Sequence, residues 1–299
     1  MSHAGTPAAE IAIDEALVRE LLSEQFPDLS HLGLHPAASG WDNVMFRLGD
    51  ALAVRLPRRA AATTALRTEQ HWLGRLGALG VDVPVPLRHG VPSSRYPWPW
   101  SVVPWLTGHP ADEQPIEAGE AARLGAILQQ LHAPAPPDAP VSPHRGVPLH
   151  ARATDVEARL GRALADDDAL RASSRAIWHE ALAAPIDITP RWIHGDLHPR
   201  NLLVTNGHLT AIVDWGDLGA GDPAVDLAAF WMLFEDATAR RDGFAAYGSI
   251  TPATMRRASG WALFFGVSLL DAGLVDDARH AATGSATLRR LVLSARAGA

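Results

Sequence analysis

The 299-residue chain carries a net charge of −7, with 47% hydrophobic and 20% charged residues, a globular rather than disordered composition. It contains no cysteine, and all 26 of its basic residues are arginine. Disulfides, thiolate metal sites, Walker-type phosphate loops and Schiff-base chemistry are thereby excluded, and any side chain that grips phosphate must be an arginine. No basic block is present, so no nucleic-acid partner is expected, whereas an acidic surface suits a small cationic substrate. No apolar run approaches the roughly 20 residues of a membrane span. The first residues lack a basic stretch followed by an apolar one, so a cytoplasmic protein with no membrane partner is expected.

In chain order, residues 14–26 carry a helical apolar stripe with Asp14 at the N-cap position. Alternation at Val44, Phe46 and Leu48, a Gly49-Asp50 turn, and alternation at Leu52, Val54 and Leu56 predict a β-hairpin. Thr64 to Leu79 predicts a helix ended by Gly80, followed by a Pro-rich strand region and an apolar strand at 101–106. Helices are predicted at 117–132, 151–183, 224–240, 252–275 and 276–296, with a breaker-rich loop at 133–140. The result is an α+β chain with two parts. Residues 1–106 form a small β-rich N-lobe and residues 107–299 a larger, mostly helical C-lobe.

The most informative stretch is 191–226. Asn206-Gly207 lies between two apolar runs, the strongest short-range hairpin signal because both residues tolerate positive φ. A two-residue turn there pairs position 201 with 212 and puts Asp214 on the same face as Asn201. An amide oxygen and a carboxylate then meet at the open end of the hairpin, and Mg²⁺ takes oxygen ligands of this kind. Asp196 precedes Asn201 by five positions, the offset of the kinase catalytic loop, in which Asp is the base and Asn binds metal.

His194-Gly195-Asp196-Leu-His-Pro-Arg-Asn201, a tight hairpin and then Ile-Val-Asp214-Trp-Gly together resemble the aminoglycoside phosphotransferase family, part of the protein-kinase-like superfamily. The resemblance implies a protein-kinase-like bilobal fold and Mg²⁺-dependent transfer of the γ-phosphate of ATP or GTP to a hydroxyl of a small molecule. Asp196 would be the catalytic base, with Asn201 and Asp214 on the metal. It further implies a nucleotide-covering loop at Ser39-Gly40-Trp41-Asp42-Asn43 and a hinge whose Val103 and Trp105 backbone groups meet a purine. Where the family carries a phosphate-binding lysine this chain has Arg55, which can pair with phosphate bidentately; Glu69 would orient it. Acceptors in the family bind the helical lobe, where Glu235, Asp236 and Asp271 could meet an ammonium group. An aminoglycoside-like antibiotic is the default acceptor and a monomer or homodimer the expected state.

Other readings remain at this stage. The acceptor could be a macrolide or another small metabolite. His194, Asp196 and His198 could build a metal-dependent hydrolase, and the missing lysine could mark a nucleotide-binding pseudokinase. Asp222 and Asp226 are expected to fix the loop and cap the next helix rather than touch substrate.

Overall fold

The structure, a computed structural model, describes residues 8–40 and 42–297. Its contacts divide the chain into one unit of Met1–Ala78 with Asp82–Thr107 and a second of Leu79–Val81 with Gly108–Ala299.

The first unit starts with α1 (Glu15–Gln25), whose N-terminus is closed by Asp14 accepting the Leu17 N–H at 2.8 Å. Strands β1 (Leu34–Ser39), β2 (Asn43–Leu48) and β3 (Leu52–Pro57) follow, then α2 (Thr63–Trp72), β4 (Arg88–Gly90) and β5 (Trp100–Pro104). All five strands join one antiparallel sheet in the order β1-β2-β3-β5-β4. The β2–β3 hairpin keeps the expected register, with Leu48 opposite Leu52 and Gly49 at φ +59°. One face of the sheet buries Phe46, Leu48, Val54, Leu56, Trp100 and Val102 under Val18, Leu21 and Leu22 of α1. Helix α2 stops before the predicted Leu79. The segment tightens into a 3₁₀ turn over Leu73–Arg75, then passes Gly77 and Gly80 at positive φ.

The second unit opens with the two-residue strand β6 (His109–Pro110) and α3 (Glu120–Leu131). The predicted helix at 151–183 is two helices, α4 (Ala153–Ala163) and α5 (Asp168–Ala183), because Asp167 accepts the Leu170 N–H at 2.9 Å and starts a new N-cap. Strands β7 (Arg191–Ile193), β8 (Leu202–Thr205), β9 (His208–Ile212) and β10 (Gly219–Gly221) make two small sheets, β6-β8-β9 and β10-β7. The chain ends in α6 (Ala224–Leu227), α7 (Ala229–Leu233), α8 (Ala237–Tyr247), α9 (Pro252–Asp276) and α10 (Ala278–Ala297). Helix α9 is apolar and long enough to span a bilayer, but 61% of its most apolar 18-residue stretch is buried within the protein. It packs against α10, α5, α4 and α6 as the core helix of this unit.

Candidate active site

The hairpin around Asn206-Gly207 forms as predicted at its tip, where Thr205 faces His208 and Val204 faces Leu209. Its register then shifts by one, because β9 carries one extra residue before Leu203 meets Ala211 and Leu202 meets Ile212. The Thr210 hydroxyl donates to the Leu203 carbonyl at 3.1 Å beside this bulge. The expected pairing of Asn201 with 212 is therefore corrected. Asn201 accepts the Val213 N–H at 2.9 Å instead. Simple alternation no longer decides where Asp214 points, since β9 ends at Ile212 and Asp214 turns the chain at φ +59°. Its side chain is exposed.

Asn201 is buried, and its Nδ2 donates to the Asp196 main-chain carbonyl at 2.8 Å. That bond turns the amide so that Oδ1 is left for another donor or a cation; among the described residues none donates to it. Asp214 supplies a carboxylate one residue from the Val213 anchor. The donors are hard oxygens, the chemistry Mg²⁺ accepts, and water and phosphate would complete its shell.

The loop before Asn201 is held from beneath by Asp226, which is fully buried. Its carboxylate accepts the main-chain N–H groups of His194 at 2.7 Å and Gly195 at 2.8 Å, and lies 3.2 Å from His132 Nε2. His132 continues to the Tyr247 hydroxyl at 2.9 Å. Asp222 accepts the Ala224 N–H at 3.1 Å just before α6, whose N-cap is Pro223, and pairs with Arg257 at 2.5 Å. Both aspartates thus hold the scaffold. His194 accepts the Asp196 N–H through Nδ1 at 3.1 Å and meets the Val213 carbonyl through Nε2 at 3.1 Å. Both ring nitrogens are committed, so His194 has none left for a metal. His198 accepts the Arg200 N–H through Nδ1 at 3.3 Å. Among the described residues no group of three or more His, Asp or Glu is placed to hold a metal ion. The hydrolase reading therefore loses His194 as a ligand.

Asp196 sits at the mouth of this loop with its side chain 23% exposed. Oδ1 accepts from Arg145 Nη2 at 3.0 Å, and Oδ2 lies 3.5 Å from His198 Nε2. Burial works to raise the carboxyl pKa, but the Arg145 charge, with help from His198, outweighs it and holds Asp196 below the usual carboxylate range. Sequence reasoning misses Arg145. It lies 51 positions before Asp196 in a Pro-rich loop, where no periodicity or motif marks it. Gly195 permits the approach: its φ is +88°, and a Cβ there would lie 3.0 Å from the Arg145 Cβ and 2.9 Å from the Asp217 Cβ.

In the first unit, Arg55 and Glu69 are both buried, and Arg55 Nη1 donates to Glu69 Oε2 at 2.5 Å. Asn43, the first residue of β2, faces the same guanidinium. With its amide oxygen turned inward it accepts from Nη2 at 2.9 Å and Nε at 3.2 Å. Gly40 lies after β1, its N–H bonded to the Asn43 carbonyl at 2.9 Å. Trp41 and the Ser39 side chain lie outside the described residues. At the end of β5, Val103 pairs with Ala53 and is buried. The Trp105 N–H donates to the Ala51 carbonyl at 2.8 Å, so of its two main-chain groups that one is taken within the sheet; the Trp105 ring lies under Arg47, 4.8 Å away.

Two of the three acidic residues expected at an acceptor site already have partners within the protein. Asp271 is held by Arg162 at 2.7 Å and Arg159 at 3.2 Å, an ion pair between α9 and α4. Asp236 caps α8 through the Thr238 N–H at 2.8 Å. Glu235 is exposed at the start of the same turn, and its main-chain carbonyl accepts from Arg240 at 2.7 Å. Helix packing and capping take Asp236 and Asp271 for structure.

The model of the phosphotransferase enzyme family matches residues 33–261 of this chain. The chain belongs to that family. The enzyme is 29% identical over 236 residues to viomycin phosphotransferase of Streptomyces vinaceus, a match that covers 71% of this chain and 77% of the relative. It superposes on the GDP complex of aminoglycoside 2'-phosphotransferase-IIIa with a TM-score of 0.66 and 20% identity, covering 94% and 99% of the two chains. A macrolide 2'-phosphotransferase from Brachybacterium faecium gives 0.57 at 22% identity, covering 91% and 97%. At these identities the structural likeness establishes the fold, the kinase-like one implied by the motif. The chain is a phosphotransferase of that fold, with a sheet-rich first unit and a mostly helical second unit.

Proposed function

We propose that this phosphotransferase moves the γ-phosphate of ATP or GTP to a hydroxyl of a small antibiotic of the aminoglycoside or related cationic class, and so confers resistance. The observation that carries the reading is the loop in which Asn201 is tied to Asp196 by a 2.8 Å bond while Asp226 holds the backbone of His194 and Gly195. Asp196 accepts a hydrogen bond from the acceptor hydroxyl and orients its oxygen toward the phosphate. Asn201 Oδ1 and the Asp214 carboxylate hold Mg²⁺, which when bound neutralises charge on the phosphates. Residues 1–106 serve as the nucleotide-binding lobe and residues 107–299 as the catalytic and acceptor lobe. Arg55, kept in place by Glu69 and Asn43, steadies the α- and β-phosphates as a bidentate donor. The antibiotic class is supported by the likeness to viomycin phosphotransferase and aminoglycoside 2'-phosphotransferase-IIIa, and a nucleoside triphosphate donor suits work in the cytoplasm.

The test is a coupled assay of nucleotide consumption with viomycin, kanamycin and a macrolide as acceptors. Asp196→Ala should lower turnover by about 10³-fold while nucleotide affinity stays within about twofold. Full turnover in that variant would remove Asp196 from the chemistry. A wild-type enzyme that consumes nucleotide but phosphorylates none of these compounds would move the acceptor outside the antibiotic class.

A further inference from the structure

Arg145 belongs to no motif, yet its guanidinium touches the proposed catalytic base. We propose that Arg145 is a positioning residue for phosphoryl transfer: it holds Oδ1 of Asp196, so that Oδ2 is the oxygen presented to the acceptor hydroxyl. The inference rests on the assignment of Asp196 made above.

The contact is built rather than casual. Nη2 of Arg145 donates to Oδ1 at 3.0 Å, while Oδ2 lies 3.5 Å from His198 Nε2, beyond a good hydrogen bond. One carboxylate oxygen is therefore held by a hydrogen bond, and the other has only the longer contact with His198. The guanidinium carbon lies 4.9 Å from the ring centre of Phe265 and 5.3 Å from that of Phe264, both on α9. Nε is buried and has no hydrogen-bond partner among the described residues, so the aromatic faces and Asp196 set the plane of the group. The main chain beneath it is fastened as well. The Arg145 N–H donates to Ser142 Oγ at 3.0 Å, and Ser142 Oγ donates in turn to Asp217. The Gly146 N–H closes on the Ser142 carbonyl at 2.9 Å, and the Ala220 N–H of β10 holds the Pro140 carbonyl at 2.6 Å.

The chemistry explains why such a fastening helps. A carboxylate turns in a broad, two-fold torsional well, so either oxygen can face the acceptor unless one is taken. An in-line displacement depends on the direction of the attacking oxygen, and a misplacement of about 1 Å lowers the rate by about 100-fold.

The experiment uses the full-length enzyme and two readouts, transfer of phosphate to water and to the probe acceptors viomycin and kanamycin. Arg145→Met keeps an apolar stem on the phenylalanine rings and removes the donor; Arg145→Lys restores a donor. Arg145→Met should lower kcat by about 100-fold with KM for nucleotide within about twofold and the melting temperature nearly unchanged. Arg145→Lys should recover part of that loss. In an Asp196→Asn background, Arg145→Met should lower kcat no further, because the two residues act as one unit. Wild-type kcat in Arg145→Met, no recovery in Arg145→Lys, or an undiminished loss in the Asp196→Asn background would each overturn the inference. If Asp196→Ala also turns over normally, the assignment of the base fails first; if Asp196→Ala is dead and Arg145→Met is not, only the positioning role fails.

Discussion

Asn201 and Asp196 are joined by a hydrogen bond from the asparagine side chain to the aspartate main-chain carbonyl, 2.8 Å long. The five-residue offset between them is therefore the span of a closed loop, and the same bond decides which end of the amide faces outward. The proposed base and the proposed metal ligand share one piece of backbone.

Asn201→Asp tests that arrangement. It replaces an N–H donor with a carboxylate facing the Asp196 carbonyl, so the loop must open even though the metal gains a charged ligand. We expect kcat to fall by about 100-fold and the Mg²⁺ concentration for half-activity to rise. Activity followed across a Mg²⁺ titration separates the two effects, and an unchanged kcat would contradict the anchoring role.

Asp226→Ala should act on folding as well as on rate. It strands two main-chain N–H groups and His132 in a fully buried setting, a loss of about 3 kcal/mol. Asp226→Asn keeps one acceptor and should lose less. Urea unfolding of the three proteins gives the order directly.

Arg55→Lys should keep the pairing with Glu69 but cannot reproduce the two bonds to Asn43 or a bidentate grip on phosphate. KM for nucleotide should rise about tenfold, roughly 1.4 kcal/mol, with acceptor KM unchanged. Steady-state kinetics varied in each substrate tests this; a lysine variant that binds nucleotide as well as wild type would show that the fork geometry is not needed.

Stability should fall in acid through Asp277. Burial works to raise its carboxyl pKa, but the bond from Arg200 at 2.7 Å, the His280 N–H and the nearby charges bring it down to about 2. A depressed carboxylate stabilises the fold fully above its unfolded value near 3.8 and loses that contribution as pH drops toward 2. The side chain is 27% exposed, so solvent screening leaves about 1 kcal/mol. Urea midpoints at pH 6 and pH 3 should differ less in Asp277→Asn than in wild type.

The proposed catalytic loop was legible because its residues are close in sequence and the chemistry proposed for it needs fixed types at fixed spacing: Asp196, Asn201 and Asp214 around an Asn-Gly turn. The Arg55–Glu69 pair, 14 positions apart, was legible through the resemblance and the absence of lysine. The register of the hairpin was not, because a one-residue bulge at Thr210 leaves no mark in a run of apolar and polar residues that alternates well enough on its own. The partners of Asp271 and Asp236 were not legible for a related reason. An acidic residue on a helix has the same letter whether it meets solvent, a ligand, a cap or an arginine from another helix, and only packing brought Arg159 and Arg162 onto Asp271.

The sequence by itself carried the resemblance that points to the reaction class, limited any phosphate-gripping cation to arginine by having no lysine, and set the local elements that carry the loop, all of which depend on residue type and short-range spacing. Only the tertiary structure decided that Asp226 supports the loop from 31 positions away and that Arg145 reaches Asp196 from 51. Contacts across such separations are selected by how whole elements bury their apolar faces, and single side chains follow from that packing without announcing it in their neighbours.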